Sequence, residues 1–349
     1  MNQDMQQDIT PTNEIKRCPP HRMEMEGQQI LKVRDDRIDS VKYWLIILVI
    51  AGHVVSAPEF SNSMVCVVLK RWIYIFHMPL FIFISGYFSR KKDKKDFLPS
   101  IWKILEPLII FHVIIRIVLY LLNGTEDNLF VTLLTPRWTL WYLFCLIYWR
   151  LMIQFVPNKI LRHTKTVIIV SFCISILAGF LPLARILSIQ RSLAFMPFFF
   201  LGYYMSGKNL YLSDKYKPLC FVFLTAMFSI PLFCPQILGN LLHATPYKDV
   251  YGAASRMFTF ALAIPMSIAF VNVCYNTSWI AQQGRLSMQY YIYHALIIPP
   301  LIAVVCKLNI PMSFVTAAII AIGIICIIAV LLKIPYFRMM TNPSLFIKK

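Results

Sequence analysis

Ten stretches of apolar residues, separated by short polar or charged segments, run through residues 41–332 of the chain. Most are long enough, at a rise of 1.5 Å per helical residue, to cross the roughly 30 Å hydrocarbon layer of a bilayer. The pattern predicts an all-α fold, a polytopic transmembrane helical bundle of about ten spans. The predicted spans are 41–58, 73–89, 104–122, 138–156, 166–184, 193–207, 218–235, 256–275, 288–306 and 311–332.

The composition agrees with this pattern. The 349 residues are 58% hydrophobic and 14% charged, whereas a soluble domain carries about 25% charged residues. The nine cysteines fall mostly singly within the apolar stretches, which favours small buried side chains over a disulfide framework or a metal site. We therefore expect a lipid bilayer as a partner, with no metal and no tightly bound cofactor.

Lysine and arginine are distributed unevenly between the two sides of the predicted bundle. The tails and the loops on their side carry 23 of them, and the opposite loops carry 8. The richer side is expected to face the cytoplasm. This predicts a cytoplasmic N-terminal tail over 1–40, a transmembrane domain over 41–332 and a cytoplasmic C-terminal tail over 333–349. The net charge of +18 then reflects topology, and nucleic acid is not an expected partner.

Lys42 and His53 are the most informative pair in the first span. They are eleven residues apart, close to three helical turns, so both lie on one face about 16 Å apart along the axis. Ionisable side chains inside a membrane are costly and mark functional sites by default. The structural alternative is a lysine that reaches the membrane surface and a hydrogen-bonded buried histidine.

A second group of polar and aromatic side chains falls at the depth of His53 on other spans. These residues predict a polar cavity that opens outward and binds substrate, although interfacial anchoring explains tryptophans and terminal arginines equally well. The predicted substrate-binding residues are His77, Arg116, Trp138, Trp141 and Arg191.

A third group lies at the predicted inner face. Cations and aromatic rings there suit the phosphates and adenine of a nucleotide-bearing donor, and ordinary interface residues are the alternative. The predicted donor-binding residues are Lys42, Arg37, Arg285 and His294.

Acidic residues are scarce at membrane depth, which disfavours an ion-coupled transporter. A single histidine can act as a general base because imidazole titrates near neutral pH. Proton removal from a sugar hydroxyl beside a thioester carbonyl would give acyl transfer without a metal or a redox cofactor.

Five segments resemble motifs of the integral-membrane acyltransferase-3 family, in the order expected for it. They are RIDSVKYWLIILVIAGH (37–53), FHMPLFIFISGYFSRK (76–91), WTLWYLFCLIYWRL (138–151), RSLAFMPFFFLGYYM (191–205) and GRLSMQYYIYHALI (284–297). The first matches a signature of a basic residue, ten spacers and a histidine. The likeness is nearest to the fucose 4-O-acetylase-like branch.

The resemblance implies an acetyl-CoA-dependent O-acetyltransferase of the bacterial inner membrane that acts on a surface carbohydrate of the capsule, exopolysaccharide or lipopolysaccharide. It implies that His53 is the catalytic base or an acyl-handling residue. Lys42 fills the basic position of the motif, where a lysine keeps the charge but loses the planar fork of arginine. Acetyl-CoA and a carbohydrate acceptor are the expected partners, and the oligomeric state stays open.

An exporter of a carbohydrate or lipid-linked sugar is the main alternative from another class. It would use the same cavity for passage and would not consume acetyl-CoA. A membrane scaffold without turnover is a third reading.

Overall fold

The structure is a computed structural model, and it describes residues 34–123, 139–182, 186–238, 241, 243 and 245–341. Every regular element in these ranges is helical, which confirms the predicted all-α class. The α-helices are α1 (Asp36–Val54), α2 (Met64–Tyr87), α3 (Lys94–Asn123), α4 (Trp141–Phe155), α5 (Asn158–Leu161), α6 (Thr164–Leu177), α7 (Ile189–Met205), α8 (Lys217–Ala226), α9 (Ser229–Phe233), α10 (Val250–Val273), α11 (Ser278–Arg285), α12 (Ser287–Lys307), α13 (Phe314–Leu331) and α14 (Pro335–Met340).

Five helical segments are long and apolar enough to cross a membrane, and two shorter helices are also strongly apolar. The five are Met64–Tyr87, Asp214–Phe233, Val250–Val273, Ser287–Lys307 and Phe314–Leu331. Each of the ten predicted spans overlaps at least one helix. The helices therefore follow the apolar pattern, and the five segments that could cross a membrane are four single helices and the pair α8 and α9.

The first helix begins five residues before its predicted span, because a polar cap starts it. The Asp35 carboxylate accepts hydrogen bonds from the backbone N–H groups of Arg37 and Ile38 at 2.9 and 3.3 Å. Asp36 and Asp39 add negative charge to the first turn, where the helix dipole favours it. The capped turn places these carboxylates next to the cations that follow in the chain.

Two helices begin well outside their predicted spans, and one span is broken. Helix α2 begins at Met64 because Ser63 caps it, so Lys70 and Arg71 lie within the helix. Helix α3 begins at Lys94, ahead of the predicted start at residue 104. The predicted span 218–235 is divided, since α8 ends at Ala226 and α9 begins at Ser229.

Glycines allow two close helix crossings that position the site. A Cβ on Gly86 of α2 would lie 2.0 Å from the Phe199 carbonyl oxygen of α7, and one on Gly202 of α7 would lie 1.9 Å from the Phe83 carbonyl oxygen. A Cβ on Gly284 of α11 would lie 1.7 Å from the Asp39 carbonyl oxygen of α1. Small residues of this kind bring helix backbones together in membranes.

Candidate functional site

His53 lies in the last turn of α1, where its ring meets a second histidine from α12. The ring centroids of His53 and His294 are 5.2 Å apart, with a 33° angle between the ring planes. His294 is fully buried, whereas His53 is only half-buried. The pair thus combines a supporting ring with one that has access to a ligand.

The backbone of α12 fixes the orientation of His294. Its Nδ1 lies 3.1 Å from the Tyr290 carbonyl oxygen, which can only accept, so Nδ1 carries the proton. In a neutral imidazole the Nε2 atom is then an acceptor. Among the described residues this buried Nε2 has no hydrogen-bond partner. The His294 Nε2 atom is therefore an acceptor held next to His53, where it could take a proton or a hydrogen bond from a ligand.

Tyr74 connects His53 to His77 on α2. Its ring centroid lies 6.4 Å from that of His53 and 4.9 Å from that of His77. The Ser56 hydroxyl hydrogen-bonds the Tyr74 hydroxyl at 3.1 Å, and His77 donates from Nδ1 to the Ile73 carbonyl oxygen at 2.7 Å. The structure thus brings the three predicted histidines, His53, His77 and His294, into one cluster.

Two tyrosines connect His294 to α4 and α2 through ring packing and hydrogen bonds. The Tyr291 ring lies 5.8 Å from that of His294, and its hydroxyl donates to the Thr139 carbonyl oxygen. Tyr291 also packs against Tyr142, whose hydroxyl lies 2.5 Å from that of Ser85. These contacts tie the fourth helix to the histidine cluster.

Arg191 and Trp141 form a second predicted pair that the structure brings together. The guanidinium carbon of Arg191 lies 4.9 Å from the centre of the Trp141 ring, a cation–π geometry. Two left-handed residues precede Arg191, Leu187 at φ 51° and Ser188 at φ 57°. Their carbonyl groups accept hydrogen bonds from side chains of α4, which helps hold the start of α7 against α4.

The two other predicted substrate-binding residues of this group, Arg116 and Trp138, are not part of the contact between Arg191 and Trp141. Arg116 is buried on α3, and its role in the cavity stays a prediction. Trp138 lies outside the described residues.

At the other end of α1, acidic residues hold the predicted donor-binding cations. Lys42 Nζ lies 2.5 Å from the Asp39 carboxylate, and Arg285 lies 2.7 Å from Asp36 and 3.6 Å from Asp39. The hydrogen bond that Arg285 donates to the Asp36 carboxylate raises the pKa of the guanidinium, so that side chain remains charged. The buried Asp39 carboxylate contacts both Lys42 and Arg285, and it therefore holds the two cations next to each other.

Aromatic groups accompany these cations. The Arg37 guanidinium lies 4.9 Å from the centre of the Tyr211 ring. A mostly apolar cavity of about 300 Å³ opens beside α11, the helix that ends at Arg285, and the cations in its lining are Lys333 and Arg338. Charge and aromatic surface are both present where the sequence places the donor.

The structure rearranges one prediction. His294, predicted with Arg285 among the donor-binding residues, lies beside His53; its donor-binding role stays a prediction. Tyr74 is a site residue that the sequence argument missed. Its position three residues before His77 on the same helix face was the available signal.

Apolar helices around a buried cluster of histidines and tyrosines define a multi-pass membrane protein with an internal polar site. The sequence model of the acyltransferase-3 family, an acyltransferase domain, matches residues 35–334. The chain belongs to this family, and an acyltransferase activity follows from it. No curated protein and no solved structure is significantly similar to the chain.

Proposed function

We propose that the chain is a membrane O-acetyltransferase that moves an acetyl group from acetyl-CoA to a hydroxyl of a bacterial surface carbohydrate. The observation that carries the proposal is the contact between His53 and His294 within an acyltransferase-3 domain. One of the two rings is half-buried and can meet a substrate. The fucose 4-O-acetylase-like branch, suggested by the motifs, is part of this proposal.

In the proposed reaction His53 is the base. It takes the proton of the acceptor hydroxyl while that oxygen attacks the thioester carbonyl carbon of the donor. The carbon–sulfur bond breaks, the proton passes to the sulfur, and CoA leaves as the thiol. A route in which His53 carries the acetyl group transiently gives the same products. His294 supports the His53 ring from the neighbouring helix.

The two substrates would reach His53 from opposite ends. We assign the donor to the end of α1 where Asp39 holds Lys42 and Arg285, since a cluster of cations suits a diphosphate. We assign the acceptor to the side of Trp141 and Arg191, where the half-buried Arg191 can donate hydrogen bonds to sugar hydroxyls. The proposal also includes ten membrane spans, cytoplasmic termini and a location in the bacterial inner membrane.

The proposal is tested with purified protein and acetyl-CoA labelled in the acetyl group. Free CoA and label on glycan are measured with and without surface glycan. Glycan-dependent release of CoA, with label recovered on the glycan, supports the proposal. Glycan binding without any loss of acetyl-CoA would reject it and favour a carbohydrate exporter.

A further inference from the structure

A second group of buried polar side chains lies between α6, α7 and α10, and the proposed transfer step does not use it. Gln190, Arg256 and His243 expose only 1, 2 and 4% of their surface. Polar groups buried this deeply are normally hydrogen-bonded. Three of their side-chain atoms, Nε2 and Oε1 of Gln190 and Nε of Arg256, have no hydrogen-bond partner among the described residues.

Arg256 is a buried cation without a carboxylate partner among the described residues. One of its terminal nitrogens donates to the Ser175 carbonyl oxygen at 2.6 Å, and its guanidinium carbon lies 4.5 Å from the centre of the Tyr247 ring. Its Nε has no hydrogen-bond partner in the part of the chain that is described. Burying a charge without an opposite charge costs several kcal/mol, so a ligand that supplies a negative charge would be strongly favoured.

Gln190 adds an unpaired amide to the same group. Both the nitrogen and the oxygen of its side chain are buried without a partner among the described residues. Gln190 and Ala194 are four residues apart and share a face of α7, and the Ala194 carbonyl oxygen accepts from the Ser175 hydroxyl at 2.5 Å. The amide is therefore on the α7 face that packs towards Ser175, the residue that Arg256 also contacts.

The surroundings of Arg256 are tightly built. The Tyr247 ring lies against Gly179 and Gly252, where a Cβ would come within 2.1 and 2.6 Å of it. The Tyr247 N–H donates to the Gly179 carbonyl oxygen at 2.7 Å, and its buried hydroxyl has no partner among the described residues. The ring over Arg256 is thus fixed by the backbone, with a donor still to be satisfied.

His243 connects this group to the proposed acceptor site. It has a left-handed backbone at φ 48°, and its ring lies 5.1 Å from Phe195 and 5.3 Å from Phe260. Phe195 in turn stacks on Trp141 at 5.5 Å, under Arg191. Burial, with the charges of Arg256 and Arg191, lowers the pKa of His243 well below its ordinary value. His243 is therefore neutral, and the two arginines carry the positive charge.

We infer that Arg256, Gln190 and Tyr247 bind an anionic group, a carboxylate or a phosphate, of the acceptor glycan. A guanidinium pairs with either anion, and the amide and the phenol supply further donors. The acceptor is then an acidic or phosphate-bearing glycan rather than a neutral one. The term acceptor rests on the proposed function, whereas the binding of an anion does not.

The test measures binding without acetyl-CoA, on purified full-length protein in discs of zwitterionic lipid. Glucuronate, glucose 1-phosphate and glucose are titrated at equal ionic strength. We expect at least one of the two anions to bind ten-fold or more tightly than glucose. Arg256→Gln should lose that preference. Arg150→Gln is the matched control, because Arg150 also donates to a backbone carbonyl, that of Ser100, and should bind like the wild type.

Gln190→Leu keeps the inference testable if Arg256→Gln does not fold. Replacing an unpaired buried amide with an apolar side chain of similar size should leave Tm unchanged or raise it, while anion affinity falls several-fold. Equal binding of glucose and the anions, no binding of any probe, or unchanged anion affinity in both variants would overturn the inference. If anion binding fails while glycan-dependent release of CoA persists, the proposed function stands without it.

Discussion

Burial distinguishes His53 from the two other histidines of the cluster. His77 and His294 expose 2% or less of their surface and donate to backbone carbonyl groups of their own helices, whereas His53 is half-buried. A residue that exchanges a proton with substrate needs access, and a residue that orients it needs a fixed place. We therefore treat His53 as catalytic and His294 as a positioning residue.

His294→Ala should lower kcat by about 10²-fold, because general base catalysis contributes about 10²–10⁴-fold and depends on a correctly placed base. KM for both substrates should change little, and the pH profile of kcat should shift. His294→Gln, which keeps a donor for the Tyr290 carbonyl group, should recover part of the rate. The exposed His163 offers the control His163→Gln. An unchanged kcat and pH profile in His294→Ala would remove this role.

Lys42→Met should raise KM for acetyl-CoA about ten-fold or more and leave KM for the acceptor unchanged. The reason is the loss of one charged hydrogen bond to the donor diphosphate, worth about 1.5–3 kcal/mol. Initial rates at varied donor and acceptor concentrations separate the two constants. Lys159→Met, at an exposed position, serves as the control. A rise in the KM for the acceptor alone would place Lys42 at the acceptor site and contradict its proposed role in donor binding.

At the scale of helices, glycine contacts fix the two ends of the site. The crossing of α2 and α7 at Gly86 and Gly202 carries His77 and Arg191 on one rigid pair. The contact of Gly284 with the Asp39 backbone brings Arg285 to the carboxylates of α1. In each case the neighbour is main chain, which cannot rotate away as a side chain can.

Gly86→Ala should destabilise the protein by about 1–3 kcal/mol, the usual cost of overpacking, because its Cβ would lie 2.0 Å from a carbonyl oxygen. Gly323→Ala is the matched control, since a Cβ there meets no atom of the described residues within 4 Å. Thermal unfolding in the same detergent compares the two variants. Equal Tm values for Gly86→Ala and Gly323→Ala would contradict the close crossing.

At the scale of the whole molecule, the proposed ten-span topology orients the site. It places the donor cations towards the cytoplasm and the pair of Trp141 and Arg191 towards the outside. The uneven distribution of lysine and arginine supports that orientation. The two substrates then approach His53 from opposite faces of the membrane.

Cysteine labelling tests this topology in a background in which the nine native cysteines are replaced. Ile310→Cys, in the turn between α12 and α13, should react with a membrane-impermeant maleimide on intact cells. Ser213→Cys, in the turn before α8, should react only after the membrane is permeabilised. Both residues are exposed, so accessibility within the fold does not differ. The reverse labelling pattern would mean that the topology is inverted, with the donor-binding cations facing outward.

The sequence could predict the helices better than their contacts. Apolar runs set the positions of α12 and α13 to within a few residues, because lipid imposes length and hydrophobicity directly. The early start of α2 depends on the Ser63 cap outside the apolar run. The pairing of Asp36 with Arg285, 249 residues apart, depends on how helices pack, and spacing along one chain does not encode it.

The site shows the same division. His53, His77, Trp141 and Arg191 were predictable as polar or aromatic side chains at membrane depth. The contact between His53 and His294 was not predictable, because the depth of His294 depends on how α11 and α12 lie against α1. Gln190 and Arg256 carried no motif, and only their burial without partners makes them conspicuous.

The most direct test compares wild type and His53→Ala in membranes, with labelled acetyl-CoA and an acidic glycan supplied together. We expect transfer of label to fall by about 10²–10⁴-fold in the variant, with Tm and KM for acetyl-CoA close to the wild-type values. Free imidazole should restore part of the rate, since it supplies the missing base. Full activity in His53→Ala would mean that this histidine is not the base of the transfer.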